Sequence, residues 1–368
     1  MDKDALLYQI AFSRAKNINI GTAKVFAAKG ISCRDFFMLG ASELSALSGL
    51  KTEYFSDSKR HAILETAKRE CDFVVRNNIK AVFYTDNAFP HRLLDCDDAP
   101  AMLYTLGNGF KEYSHVISVV GTRHCTYYGA EFCRQFIEEL GQKIDDLLIV
   151  SGLAYGVDIA AHRAALSNNI ATAAVFAHGL DTIYPAEHRN DARRIIENGG
   201  FIATEYTSSD KIHRGNFLAR NRIVAGMADA TIVVESNRKG GAMSTARIAG
   251  AYHRNVFAVP GRVSDIYSSG CNELIYNNEA EMLRGVDDLV HALNWTVRKP
   301  EGTQQELQLE LSDDFKRILN YISGNPASTV NDMCVALEMP YSQLSSTLFE
   351  MEMADLIVAV PGGKYMPL

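Results

Sequence analysis

Between residues 115 and 290 the sequence repeats one theme, a short apolar strand, a turn of small residues and an amphipathic helix. Ile117-Ser118-Val119-Val120-Gly121 precedes a helix over 129–143, and Leu148-Ile149-Val150-Ser151-Gly152 precedes one over 157–166. Ala173-Ala174-Val175-Phe176-Ala177 leads to 187–198, Ile202-Ala203-Thr204 to 216–227 and Ile232-Val233-Val234 to 243–253, and Val256-Phe257-Ala258-Val259 closes the series. Strands that are apolar almost throughout must be covered on both faces, so they predict an α/β fold, a parallel sheet with helices on either side. Such sheets take ligands at the carboxyl ends of their strands. The turns are where function is to be sought.

The flanks differ in texture. At 368 residues the chain predicts two or three domains. Residues 1–71 read as helical: Leu6, Leu7 and Ile10 recur at helical spacing, and Leu47-Ser48-Gly49-Leu50 makes a tight turn between short helices, a helix-hairpin-helix or SAM-like pattern. A strand, Ala81-Val82-Phe83-Tyr84, opens the domain expected over 72–298. Residues 299–310 are polar and read as a linker. Within 311–368, helices at 313–323, 330–337 and 341–353 precede a hairpin of 357–360 and 364–366, the layout of a winged helix. Trp295, the single tryptophan, is expected to anchor packing near the linker.

Charge is placed unevenly. From Lys211 to Arg262 nine basic residues face only Asp229 and Glu235, whereas residues 301–368 carry ten acidic and three basic residues. A basic block in a chain of net charge −7 points to a local anion site rather than to indiscriminate coating of a polyanion. Seven cysteines without a C-x-x-C pair, and ten scattered histidines, argue against a zinc knuckle or disulfide framework; no metal or cofactor is expected. The start lacks the order of a signal peptide, and no run nears the ~20 apolar residues that span a bilayer, so a cytoplasmic protein without membrane contact is expected.

Five turns on one sheet edge carry chemistry. Gly121-Thr122-Arg123 and Ser151-Gly152 follow the first two strands, with Asp158 and His162 just beyond. Small residues there let backbone N–H groups and a helix N-terminus approach an anion, and Arg123 offers a planar fork for phosphate oxygens. The same glycines would also permit tight strand-to-helix packing. The third turn, 214–222, places Arg220 at an expected helix start facing the cleft, braced by Arg222, with Phe217 available to stack on a base. Lys239-Gly240-Gly241 and Pro260-Gly261-Arg262 complete the set. Tyr127 and Tyr128 are read as core packing, with base stacking as the alternative.

The strings VVGTR, SGLAYGVDIAAH, GLDTIYPAEHR, NFLARNRIVAGMADATIVVES, KGGAMSTA, VFAVPG and SGCNELI stand in the order and spacing of the DNA processing protein A family (DprA, also called Smf). The chain resembles that family strongly over residues 72–290. The resemblance implies an extended Rossmann-like domain that binds single-stranded DNA, forms a homodimer and loads a RecA-type recombinase during natural transformation, without catalysis. The implied phosphate pocket comprises Gly121, Thr122, Arg123, Ser151, Gly152, Arg220, Asn221, Lys239, Ser244 and Thr245. For Asp158 and His162, ligand contact and buried bracing both stay open.

The rival reading is a nucleotide phosphoribohydrolase of the lysine-decarboxylase-like type, which resembles this chain at the glycine turn. Aligning Gly240-Gly241 with those enzymes' P-G-G-x-G-T-x-x-E motif leaves Arg247 where a catalytic carboxylate belongs. Glu205, Asp229 and Glu235 remain as candidate carboxylates. The third helix of the winged-helix segment, 341–353, has no Lys or Arg, so phosphate contacts by that segment are not expected and a protein-contact or autoregulatory role is.

Overall fold

The computed structural model describes residues 3–298, 312–325, 328–354, 356–360 and 363–367. The chain divides into two compact units, residues 1–298 and 299–368. The linker expected over 299–310 lies outside the described residues.

Five helices open the first unit: α1 (Lys3–Arg14), α2 (Ile20–Ala28), α3 (Asp35–Met38), α4 (Ala41–Ser48) and α5 (Asp57–Arg76). Their core is aromatic, with Phe12, Phe26, Phe36 and Phe55 meeting edge to face at 5.0–6.4 Å. Gly49 ends α4 in the left-handed region at φ 71°, the tight turn expected from Leu47-Ser48-Gly49-Leu50. The buried Arg60 of α5 donates to the carbonyls of Phe36 and Leu39 at 2.8 and 2.6 Å, satisfying the frayed end of α3. This helical core is continuous with Ala81, Phe83, Met102 and Tyr104 of the sheet that follows. The expected division after residue 71 falls inside α5, which runs on to Arg76 because Cys71 and Val74 still face the shared core.

The sheet begins with β1 (Lys80–Phe83), the one-turn α6 (His91–Leu94) and β2 (Met102–Gly107). Then come β3 (His115–Val120), α7 (Tyr127–Lys143), β4 (Leu147–Ser151), α8 (Val157–Ser167), β5 (Ala171–Val175), α9 (Arg189–Glu197) and β6 (Phe201–Thr204). The series closes with α10 (Arg214–Gly226), β7 (Ala230–Val233), α11 (Gly241–Ala251), β8 (Asn255–Ala258), α12 (Ser269–Tyr276), β9 (Glu281–Met282) and α13 (Val286–Leu293). The strand order is β1-β2-β6-β5-β4-β3-β7-β8-β9. Strands β3 to β9 pair in parallel, whereas β2 runs antiparallel to both β6 and β1. The sheet is thus mostly parallel with an antiparallel flank that the strand-helix rhythm did not predict.

Alternation along β3 explains the double layer. Val116 and Val120 face a core with Ile223 and Val224 of α10 and Ala246 of α11, while Ile117 and Val119 face Phe136 and Leu140 of α7 and Ala161 of α8. The one polar residue between them, Ser118, is buried and meets Thr231 Oγ1 at 2.8 Å. Trp295 packs on the second of these cores, its ring 4.6 Å from that of His115. The order reverses between β3 and β7, where crossovers diverge and leave a crevice at the strand carboxyl ends.

The second unit contains α14 (Asp313–Gly324), β10 (Ser328–Thr329), α15 (Val330–Leu337), α16 (Tyr341–Met353), β11 (Ile357–Val360) and β12 (Lys364–Pro367). Its sheet, ordered β10-β12-β11, is antiparallel, and Ile318, Met333, Leu344, Leu348 and Ile357 form its core. Three helices and a small wing make this a winged helix. Within the first unit, Phe36→Ala is expected to cost about 3–5 kcal/mol by removing the ring on which Phe12, Phe26 and Phe55 converge; chemical denaturation followed by circular dichroism measures the loss.

Candidate nucleic-acid interface

A cleft of about 1080 Å³ opens at the β3–β7 crevice. Gly121, Thr122, Arg123, Gly152, Arg220, Asn221, Lys239, Ser244 and Thr245 all line it. Of the implied pocket residues only Ser151 stays outside: it is fully buried, and its Oγ donates to the Val119 carbonyl at 2.7 Å. Ser151 therefore braces β3 against β4.

The floor of the cleft is Arg220. It lies midway along α10, not at the helix start expected from the sequence, because α10 already begins at Arg214. Only 5 % of Arg220 is exposed, and its Nη1 donates to the Val175 carbonyl at the end of β5, 2.5 Å away. A Cβ on residue 152 would lie 1.8 Å from that Nη1, so glycine there makes room for the guanidinium. Gly156 serves the neighbouring turn: φ is +77°, and a Cβ would stand 2.1 Å from the Thr122 carbonyl oxygen. These glycines thus perform close packing and shape the anion cleft at once.

Asp158 lies beside this charge. Its Oδ2 accepts from the amides of Gly152 and Ala154 at 3.2 and 3.4 Å. Burial pushes the Asp158 carboxyl up, opposed by the positive charge of Arg220 and by those amides. Burial likewise pulls Arg220 down, opposed by Asp158, yet a guanidinium remains a cation at neutral pH. The Arg220 Nε is buried with no acceptor among the described residues.

The rim is basic and aromatic. Arg123 sits 5.4 Å from the centre of the Phe217 ring, and Tyr184 meets the same ring edge-on at 5.8 Å. Lys239 is exposed beside the uncapped start of α11, whose N-cap Gly240 brings no side-chain acceptor to the first amides. Those amides and the helix dipole favour an anion. Arg222 does not brace Arg220 as expected: it grips Glu205 through two bonds of 2.5 and 2.7 Å and donates to the Asp98 carbonyl, because two residues on along α10 it faces away from the cleft floor. Tyr184, Arg214 and Asn237 also line the cleft and escaped sequence reasoning as site residues. Tyr184 had a signal in the string GLDTIYPAEHR, but only folding brings it to Phe217.

The remaining carboxylates stand elsewhere. Asp229 pairs with Arg92 and accepts from the Val116 amide, at the amino end of β3. Glu235 is buried and accepts from the Thr126 amide and hydroxyl at 2.8 and 2.5 Å, fastening the start of α7. Arg247 is exposed and 3.5 Å from Glu279. His162 is a core residue, its Nδ1 2.7 Å from Thr172 Oγ1. Tyr127 and Tyr128 are exposed rather than packed in the core, a correction traceable to their place in the first turn of α7 ahead of its apolar stripe. Among the described residues no cluster of His, Cys, Asp and Glu is placed to hold a metal ion, and no helix is long and apolar enough to cross a membrane.

A mostly parallel α/β sheet with a cationic crevice at its switch point, in a chain that also carries a winged helix, defines the class of the protein. Comparison with known proteins gives the family. Residues 80–294 match DNA recombination-mediator protein A and residues 302–363 match the DprA winged helix domain, so the chain belongs to the DprA family of DNA processing proteins. Protein Smf of Escherichia coli is 33% identical over 75% of this chain and 74% of its own length. A putative DNA processing protein DprA of Mycobacterium tuberculosis is 35% identical over 72% of this chain and 68% of its own. The X-ray structure of Streptococcus pneumoniae DprA superposes with a TM-score of 0.65 at 28% identity, covering 77% of this chain and 97% of that one. Helicobacter pylori DNA processing protein A, solved for its single-stranded DNA binding mode, gives 0.51 at 30% identity, covering 59% of this chain and 95% of that one.

Burial holds the His162 imidazole far below its ordinary value, at about 3. An unfolded histidine takes a proton near pH 6.5, so between about pH 6.5 and 3 protonation favours the unfolded chain and stability falls as pH falls. NMR of the His162 ring is expected to show the neutral form throughout that window; titration near pH 6.5 would contradict the buried role.

Proposed function

We propose that this chain is a non-catalytic single-stranded DNA-binding protein of the cytoplasm that grips phosphates in the β3–β7 cleft. It acts as a homodimer and loads a RecA-type recombinase onto DNA during transformation and recombination. The observation that carries the binding reading is Arg220, a buried cation with an unsatisfied Nε at the bottom of a cleft rimmed by Arg123, Arg214 and Lys239. A phosphate in the cleft supplies the negative charge that Asp158 provides only in part. Thr122, Asn221, Ser244 and Thr245 offer amide or hydroxyl groups around it, Gly121 and Gly152 leave room for its approach, and Ser151 supports the turn from beneath.

The strand must be single because a phosphate reaches a recessed floor only if its flanking bases can splay, which stacking in a duplex opposes. Phe217, held between Arg123 and Tyr184, offers a face for one such base. Few phosphate contacts per protomer give weak binding at cellular salt, and two linked clefts on one strand raise it, which gives the homodimer its purpose. The single-strand binding mode described for the Helicobacter pylori relative and the family's description as a recombination mediator support this reading and the recombinase partner.

A hydrolase needs a carboxylate free to move protons at the cleft. Glu205 is chelated by Arg222, Asp229 and Glu235 are engaged elsewhere, and Asp158 is committed to two amides and the Arg220 charge. These engagements favour the non-catalytic reading. The winged helix fits a protein-contact or autoregulatory role, since α16 carries no Lys or Arg to meet phosphates.

Band shifts over a salt series test the binding. Wild type is expected to prefer a single strand over the matched duplex. Arg123→Ala is expected to reduce the slope of log affinity against log salt by about 0.7, and Arg220→Ala to weaken binding roughly 10- to 100-fold, as loss of a charged hydrogen-bond partner does. If both variants bind single strands as the parent does, the reading fails.

A further inference from the structure

Next to the cleft lies a second surface whose chemistry differs from it. His124 follows the cleft residue Arg123, and its ring stands 6.1 Å from that of Tyr267, inclined by only 26°. The Tyr267 carbonyl accepts from the Ser236 amide at 2.6 Å, one residue before the cleft residue Asn237. Tyr128 Oη donates to the Pro260 carbonyl at 2.9 Å, and the Gly261 carbonyl accepts from Asn272 Nδ2 at 3.0 Å. The loop of residues 260–267 is therefore fastened at both ends to the cleft's own framework.

This loop presents two large apolar side chains to solvent. Val263 is 95% exposed and Ile266 71%, and Tyr127 on the adjoining first turn of α7 is 84% exposed. Arg262 is exposed among them, with Asp265 as the loop's single acidic residue. Exposed apolar side chains beside a stacked ring pair, with a cation at hand, are poor solvent surface and good surface for a base, since every base offers a π-face and every nucleotide a phosphate.

Building on the proposed cleft function, we propose that His124, Tyr267 and the Val263–Ile266 loop form a stacking platform for the bases that leave the cleft on the side away from Phe217. The occupant is the same single strand whose phosphate lies on Arg220. Continuity of the surface with the cleft and the cationic rim of Arg123 and Arg262 argue for nucleic acid rather than for an apolar protein partner. The platform is sequence-tolerant, because stacking reads the faces of bases and not their edges. It extends the strand's track on each protomer beyond the phosphate grip.

The experiment uses the full chain with oligothymidylates of about 4 and about 16 nucleotides, the longer also carrying 2-aminopurine at successive positions. Tyr267→Ala and the double variant Val263→Ser with Ile266→Ser are compared with wild type and with Arg123→Ala, each checked for an unchanged melting profile. The platform predicts that the loop variants lose about 5- to 100-fold on the longer strand, keep the affinity for the shorter one, and keep the wild-type salt slope. It also predicts quenching of 2-aminopurine at one side of the binding footprint, lost in Tyr267→Ala and retained in Tyr267→Phe. Should Arg123→Ala lose binding while the loop variants match wild type on both strands, the platform is wrong and the cleft stands. Loop variants that keep DNA binding but change self-association in sedimentation assign the surface to a protein contact and overturn the proposal. If wild type binds neither strand, the cleft reading itself falls.

Discussion

A guanidinium group taken out of water has to be compensated, and the carboxyl end of this sheet is arranged around that requirement. Arg220 reaches from α10 to the free carbonyl of Val175 and lies against residue 152, where only a glycine leaves space. Asp158 answers part of its charge from the start of α8 while holding the amides of the turn that Gly152 opens. The result is a preorganised cation whose charge is only partly answered. Binding an anion there costs little reorganisation, because the side chain is already immobilised.

Apart from Asp158, the neighbouring carboxylates are turned to other tasks. Glu205, Asp229 and Glu235, the carboxylates open to a catalytic reading, are each spent on structure: one bracing Arg222, one sealing the amino end of β3, one capping α7. Against the one carboxylate Asp158, the cleft is lined by Arg123, Arg214, Arg220 and Lys239, with the uncapped start of α11 beside them. A chain with a net charge of −7 thus presents a cationic cleft through local pairing rather than through overall composition.

The architecture was legible where physical periodicity is strong. Continuous apolar runs such as Leu148-Ile149-Val150 can only be interior strands, and β3 to β8 follow them closely. The strand β2 was missed because Ala99-Pro100 reads as a loop and Met102–Gly107 has no helix after it to mark a crossover. Two-residue β9 leaves no periodic trace at all. The candidate cleft residues sit in turns scattered over more than a hundred positions, and the family resemblance rather than spacing gathered them. What neither could supply was depth. That Arg220 is a floor, Ser151 a brace and Tyr127 an exposed ring depends on how α7 and α10 begin, and helix starts are set by local caps such as Thr126 and His213.

The most direct test is a crystal structure of the full chain with a short oligothymidylate. The account predicts a phosphate within hydrogen-bonding distance of the Arg220 guanidinium and of the first amides of α11, with the bases turned outward. A strand bound elsewhere, with Arg220 still facing only Val175 and Asp158, would contradict it.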